Sequence, residues 1–140
     1  MMGWLRRRRK ASIEDRMKDH IRSRHSVIDV ESGNGMFNLR CHKNAVQWAF
    51  ENEPQGATVI ETITIDAGTP ILHYVNELDG VYIDNTLGFF SKRAEYYYIR
   101  KIHKADWPYI QGEFDTALDA WWYQFTNWFD RKILKIDRIL

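Results

Sequence analysis

The chain has a single cysteine among its 140 residues, and no stretch of it approaches the roughly 20 apolar residues that a membrane-spanning helix needs. An internal disulfide is therefore impossible, which excludes the disulfide-rich scaffolds of small secreted proteins and favours a reducing compartment. The opening arginine run has the charge of a secretory signal, but the chain continues Ala-Ser-Ile-Glu-Asp instead of an apolar segment. The sequence therefore predicts a cytoplasmic protein with no transmembrane segment.

Basic charge is concentrated at one end of the sequence. Residues 1–25 carry nine Lys/Arg against three Asp/Glu, a balance of +6, whereas the other residues carry eleven against sixteen, a balance of −5. Because the acidic body offers no further basic surface, specific nucleic-acid recognition is not predicted. An anionic surface is a partner that the basic arm could meet, through Arg6, Arg7, Arg8 and Arg9.

Hydrophobic periodicity divides the chain into helices and strands. A polar helix is predicted over 12–25, and a second helix begins at Cys41 and stops at the Glu-Pro-Gln-Gly of 53–56. Alternating segments rich in β-branched or aromatic residues predict strands over 57–65, 71–76, 81–86 and 94–102. From residue 110 a broad aromatic stripe predicts one long amphipathic helix to the end of the chain.

These elements predict two parts, a basic N-terminal arm or helix over 1–25 and a single α+β domain over 26–140. In the α+β domain, an N-terminal nucleophile helix is expected to pack on a three- to four-stranded antiparallel sheet. The long C-terminal amphipathic helix is expected to cover the core. Its last ten residues mix basic and aliphatic side chains, so this helix could also dock on a partner or on a second copy of the chain.

Cys41 is predicted to be the first residue of its helix. Free backbone N–H groups and the positive end of the helix dipole favour the thiolate there, and the thiolate is the reactive form of cysteine. A buried, inert cysteine would have the same sequence context. The helix start alone therefore leaves both interpretations open.

His73 and Asp84 lie on neighbouring predicted strands. With a two-residue loop, either Leu78-Asp79 or Asp79-Gly80, their side chains fall on the same face of the sheet, directly opposite or one diagonal step apart. A three-residue loop would place them on opposite faces. A histidine oriented by a carboxylate is what a thiol nucleophile needs, although such a pair can also merely stabilise a hairpin.

The segment from His73 to Gly88 reads HYVNELDGVYIDNTLG. It resembles the histidine and aspartate strands of the transglutaminase-like and arylamine N-acetyltransferase proteins, which are papain-like cysteine enzymes. The resemblance covers roughly residues 36–90 and implies that Cys41 is the nucleophile, His73 the base and Asp84 the orienting acid. The chain departs from the family pattern because no Gly-rich run precedes Cys41 and the Cys-to-His interval is short. Its basic arm and Trp-rich tail are also similar in style to small proteins of tailed phages.

An acyl-transfer site also needs hydrogen-bond donors for the oxyanion. The backbone N–H of Cys41 is one candidate, and the side-chain amides of Asn38 and Asn34 are others, although both asparagines also suit turns. A zinc site that includes His42 is not predicted, because adjacent helix residues point about 100° apart and the chain offers no second cysteine or spaced histidine pair. No metal or other cofactor is expected.

The leading hypothesis is a cysteine-dependent hydrolase or acyltransferase that attacks an amide in a peptide, an isopeptide or a side chain. Cys41 would form a thioester, and hydrolysis, deamidation and transfer would share this first half-reaction. The resemblance implies a protein or peptide substrate. The alternative is a catalytically inactive binding or inhibitor module that engages a protein partner through its aromatic C-terminal helix or its basic arm.

Overall fold

The structure, a computed structural model, describes residues 1–36, 38 and 40–138. The α-helices of this part of the chain are α1 (Met2–Arg24), α2 (Cys41–Glu51) and α3 (Ile110–Phe125). Its strands are β1 (Val27–Ile28), β2 (Val30–Ser32), β3 (Thr58–Asp66), β4 (Thr69–Leu78), β5 (Val81–Asp84) and β6 (Ala94–Ile102). The protein is therefore of the α+β class.

The prediction of a three- to four-stranded antiparallel sheet is wrong. The six strands form one mixed sheet in the order β1-β6-β3-β4-β5-β2, in which β2 runs parallel to β5. The two additional strands come from residues 27–32, and they pair with opposite edges of the sheet, Val27 with Tyr97 and Val30 with Tyr82. Strands of two and three residues are too short to show a period of two in the sequence, so their pairing could not be predicted.

The prediction of a long C-terminal helix is also wrong, because α3 ends at Phe125. Thr126, which is extended, ends the helix, and Asn127 and Asp130 then cap the next helical turn: the backbone N–H of each donates to the side chain of the other at 3.0 Å. After a short π-helical turn, the chain returns Leu134 and Ile136 to the main core, where each is 4% exposed. The apolar pattern of the tail therefore reflects burial along an irregular path.

Helix α1 lies against this tail and α3. Its apolar stripe, Ile13, Met17 and Ile21, is completely buried, and each such side chain contributes about 1.5–3 kcal/mol by leaving water. Arg9 makes a two-pronged ion pair with the fully buried Asp130, at 2.6 and 3.1 Å. The helix predicted for 12–25 is thus the second half of a longer one that is fixed to the body.

The two faces of the sheet have different coverings, and this difference positions the site. The helices cover one face with the main core, whereas Ile60, Val75 and Tyr96 form a smaller cluster on the other. Helix α2 is fixed to β4 by Asn76, whose buried amide donates to the Ala45 carbonyl at 2.8 Å. Helix α2 is therefore held against β4, with Ala45 beside Asn76.

Candidate active site

Helix α2 begins at Cys41, as predicted. Arg40 precedes it in a non-helical conformation, and no side chain of the described residues caps the first turn. The N–H groups of that turn therefore lack a side-chain acceptor and favour negative charge beside them. The cysteine itself is only 7% exposed.

His73 and Asp84 are joined across the β4–β5 hairpin. Leu78 pairs with Val81, so the loop is Asp79-Gly80, and both loop residues have positive φ, at 52° and 78°. This type of turn suits an Asp-Gly pair. It gives the second of the two predicted registers, in which His73 and Asp84 are diagonal neighbours on one face. His73 Nε2 donates to Asp84 Oδ2 at 2.7 Å, with both side chains buried.

The Asp84 carboxylate accepts hydrogen bonds from four donors. Besides His73, the Tyr96 hydroxyl donates to Oδ2 at 2.5 Å, and the backbone N–H groups of Thr86 and Leu87 donate to Oδ1 at 2.8 Å. Burial raises the pKa of Asp84, but the donors outweigh burial and the net direction is downward. The carboxylate is therefore ionised at neutral pH and fixes the plane of the imidazole.

The Cys41 thiol lies close enough to His73 for the two groups to shift each other's pKa. Since Nε2 is bonded to the carboxylate, Nδ1 is the ring nitrogen that remains for the thiol. Burial raises the pKa of Cys41, but its interactions with His42 and His73 and a hydrogen bond from the backbone N–H of Tyr74 bring it down to about 6. Burial lowers the pKa of His73, while Asp84 and Cys41 raise it to about 10. These directions favour a thiolate–imidazolium pair at neutral pH.

Part of the edge of β4 is unpaired, and this leaves room for the Cys41 sulfur beside Tyr74. Strand β5 pairs with β4 only at 76–78, so within the described residues the backbone of β4 before residue 76 has no partner strand on that side. The Tyr74 N–H can therefore donate to the Cys41 sulfur. No sequence pattern indicates this bond, because it depends on where β5 stops.

The two predicted oxyanion donors have different environments. Asn38 and Asn44 exchange side-chain hydrogen bonds at 2.8 and 3.2 Å, and Asn44 also donates to Thr86 beside Asp84. Asn38 thus fixes the segment before Cys41 to the loop that follows β5. Asn34 is exposed, and only its backbone N–H has a hydrogen bond in the described residues, to Asn85. The oxyanion role of either asparagine stays a prediction.

A cavity of about 150 Å³ lies along α2 next to this network. Asn44 lines this cavity and also belongs to the hydrogen-bond network with Asn38 and Thr86. Cys41 does not line the cavity. Four of its seven lining residues carry carboxamides, although most of the lining area is apolar: Asn34, Met36, Asn44, Gln47, Trp48, Glu51 and Asn85.

Sequence reasoning missed two side chains that contact the predicted triad. Tyr96 comes from β6, which is separated from β5 by two strands, and no local spacing could place its hydroxyl on Asp84. His42 interacts with the Cys41 thiol, although adjacent helix residues diverge. Its side chain is 5% exposed and stacks on Phe114, with ring centroids 4.3 Å apart.

Comparison with known proteins places the chain in no family. No protein-family model, curated protein or solved structure matches it. Within residues 1–36, 38 and 40–138, no group of three or more His, Cys, Asp or Glu is arranged to hold a metal. No helix of the same residues is long and apolar enough to cross a membrane.

Proposed function

We propose that the protein is a cysteine-dependent hydrolase or acyltransferase that acts on an amide through a thioester on Cys41, as the transglutaminase-like and papain-like enzymes do. The observations that support this most are the proximity of the Cys41 thiol and His73, by which each shifts the pKa of the other, and the 2.7 Å hydrogen bond from His73 to Asp84. Few structural roles require a buried thiol, an imidazole and a fully buried carboxylate in this order.

In the first half-reaction, the Cys41 thiolate attacks the amide carbonyl and the His73 imidazolium gives its proton to the leaving nitrogen as the C–N bond breaks. Asp84 keeps the ring oriented and stabilises its charged form. Water or an amine then attacks the thioester, and the electron pair of the C–S bond returns to sulfur. Backbone N–H groups at the start of α2 are the oxyanion donors that we propose.

The burial of Cys41 supports a slender substrate. With 7% of the residue exposed, a carbonyl on a side chain or a chain end reaches the sulfur more readily than one within a folded strand. We therefore propose a side-chain amide or an extended peptide as substrate. The free thiol, the only cysteine of the chain, suits action in a reducing cytoplasm.

The test is formation of an acyl-enzyme from para-nitrophenyl acetate, followed by intact mass spectrometry and peptide mapping. One acetyl group per chain on Cys41, released over time by water or by an added amine, supports the proposal. The ratio of hydrolysis to aminolysis distinguishes a hydrolase from a transferase. Acetylation confined to lysines, or equal labelling of Cys41→Ser, would contradict it and leave the inactive binding module as the better hypothesis.

A second role, contact with an anionic membrane surface, is favoured by the first turns of α1. Arg6 and Arg9 are paired with Asp137 and Asp130. The neighbouring cations, in contrast, have no carboxylate partner in the described part of the chain, and they surround two exposed apolar side chains: Arg7, Arg8 and Lys10 beside Trp4 (54% exposed) and Leu5 (39%). Aromatic and basic residues together are typical of interfacial contacts.

Sedimentation with phosphatidylcholine vesicles, with and without phosphatidylserine, tests this second role. Since each basic residue near an anionic surface contributes about 1 kcal/mol, replacing Arg7 and Arg8 by Ala should weaken binding about 30-fold at low salt. Arg24→Ala, at the far end of α1, is the matched control. Vesicle binding that does not depend on phosphatidylserine, or binding only to nucleic acid, would contradict this second role.

A further inference from the structure

His42 is held in one orientation and one tautomer. The Gln111 amide nitrogen donates to Asp115 at 3.2 Å, which turns the Gln111 carbonyl oxygen toward His42. That oxygen lies 2.8 Å from His42 Nε2, and because a carbonyl only accepts, Nε2 carries the proton. The stack on Phe114 fixes the plane of the ring.

This arrangement leaves His42 Nδ1 without an aligned hydrogen bond. It is the one buried side-chain nitrogen or oxygen without a partner in the described part of the chain. A buried polar atom left in this way costs about 1–3 kcal/mol, so its retention calls for a functional explanation. The ring lies close enough to Cys41 for the two groups to shift each other's pKa.

The Cys41 thiol therefore has two imidazole neighbours, and each ring is hydrogen-bonded to a different kind of side chain on its other nitrogen. His73 is bonded to a carboxylate, which favours its charged form, whereas His42 is bonded to a neutral carboxamide. A general base works best when its pKa is near the operating pH. His73 therefore stabilises the thiolate of the free enzyme. Burial lowers the pKa of His42, while Cys41 and Gln111 raise it and the net direction is upward, but its hydrogen-bond partner carries no charge that would hold the ring protonated.

We propose that His42 is the general base of the second half-reaction, an inference that rests on the proposed function. Water donates a proton to His42 Nδ1 while its oxygen attacks the thioester carbon. The tetrahedral intermediate then breaks the C–S bond, and the electron pair returns to Cys41 as a thiolate. His73, which is neutral after it protonates the leaving nitrogen, takes up the proton that the acid product loses on ionisation, and this restores the thiolate–imidazolium pair. The acid product leaves, and His42 releases its proton to solvent.

The experiment measures acylation and deacylation separately, by following the acetyl adduct from para-nitrophenyl acetate with intact mass. His42→Phe keeps an aromatic ring on Phe114 and removes both nitrogens. It should slow deacylation about 100-fold, the size of a general-base contribution, and change acylation only a few-fold. His73→Gln should instead abolish acylation. Circular dichroism checks that each variant is folded.

Gln111→Glu provides a second test at an exposed position. A carboxylate on Nε2 stabilises the charged ring, so the deacylation rate should rise with pH about one unit later than in the unmodified chain. If the role of His42 is only structural, the pH dependence of the deacylation rate should be the same in Gln111→Glu as in the unmodified chain. Wild-type deacylation in both variants would overturn the role of His42 and leave the proposed function intact, whereas failure of the unmodified chain to form an adduct would overturn both.

Discussion

The pH at which Cys41 becomes reactive should depend on His73. The pKa of the thiol is lowered from the ordinary value of 9.0 to about 6, which corresponds to about 4 kcal/mol in favour of the thiolate. Burial opposes this shift, so removing the charged ring by His73→Gln should move the pKa up by about two units or more. At pH 7 the thiolate fraction would fall from about 90% to about 10% or less.

The midpoint of the pH profile, and not the rate at one pH, is the quantity to measure. A thiolate of low pKa is also a weaker nucleophile, with a Brønsted slope of about 0.4–0.5. A shift of three units therefore lowers its intrinsic reactivity about 20-fold and hides much of the gain in thiolate. Burial of Cys41 slows any reagent, but it does not move the midpoint.

The assay is alkylation by iodoacetamide over a pH series, with ultraviolet absorbance of the thiolate as a check that needs no reagent access. Because Cys41 is the sole cysteine, intact mass reports on it alone. His103→Gln removes an exposed histidine and serves as the matched control. An unmodified chain that titrates at the value of a free thiol, or a His73→Gln variant with an unchanged midpoint, would refute the reasoning.

Two further predictions concern buried carboxylates. Asp84→Asn should lower the free energy of unfolding by about 3–5 kcal/mol in urea titrations, because it removes a buried charge that four donors require. The pKa of Asp84 is depressed in the folded state, so its contribution to the free energy of unfolding is present above its unfolded pKa of about 3.9 and is lost as the pH falls through the folded pKa. The Asp84→Asn variant should therefore lose less stability than the unmodified chain on acidification. Arg9→Ala should cost about 2 kcal/mol by leaving Asp130 buried without its cation, a value reduced because Arg9 is one-third exposed. Arg7→Ala should change stability by less than about 0.5 kcal/mol.

Each of these two predictions has a result that would contradict it. An Asp84→Asn variant as stable as the unmodified chain would mean that the carboxylate is not ionised in the folded state. Equal effects of Arg9→Ala and Arg7→Ala would mean that α1 is not anchored through Asp130.

The hairpin and the helix start could be predicted because their signals are local. An Asp-Gly turn restricts the loop to a few geometries, and the period of two then places His73 and Asp84 on one face. The spacing of apolar residues after Cys41 likewise defines a helix. What the sequence could not establish is that these two units meet, since that depends on the docking of α2 over β4.

The features that were predicted wrongly or not at all depend on contacts between residues far apart in the sequence. The path of the chain after α3 is fixed by Asn127 and Asp130 together with Arg9, which lies over a hundred residues away. The two short strands of residues 27–32 form only because they pair with the edge strands β6 and β5. His42 was considered only as a zinc ligand, and its interaction with the thiol was not predicted, because its ring orientation is set by Gln111 and Phe114 on α3.

The central claim is that Cys41 and His73 form a thiolate–imidazolium pair, and nitrogen-15 spectra of the histidine rings test it most directly. At pH 8, between the two pKa values of about 6 and about 10, both ring nitrogens of His73 should carry protons. Comparison with His73→Gln assigns its signals among the five histidines. In Cys41→Ala the pKa of His73 should fall, because the thiolate no longer faces it. A neutral His73 ring at pH 8 in the unmodified chain would contradict the account.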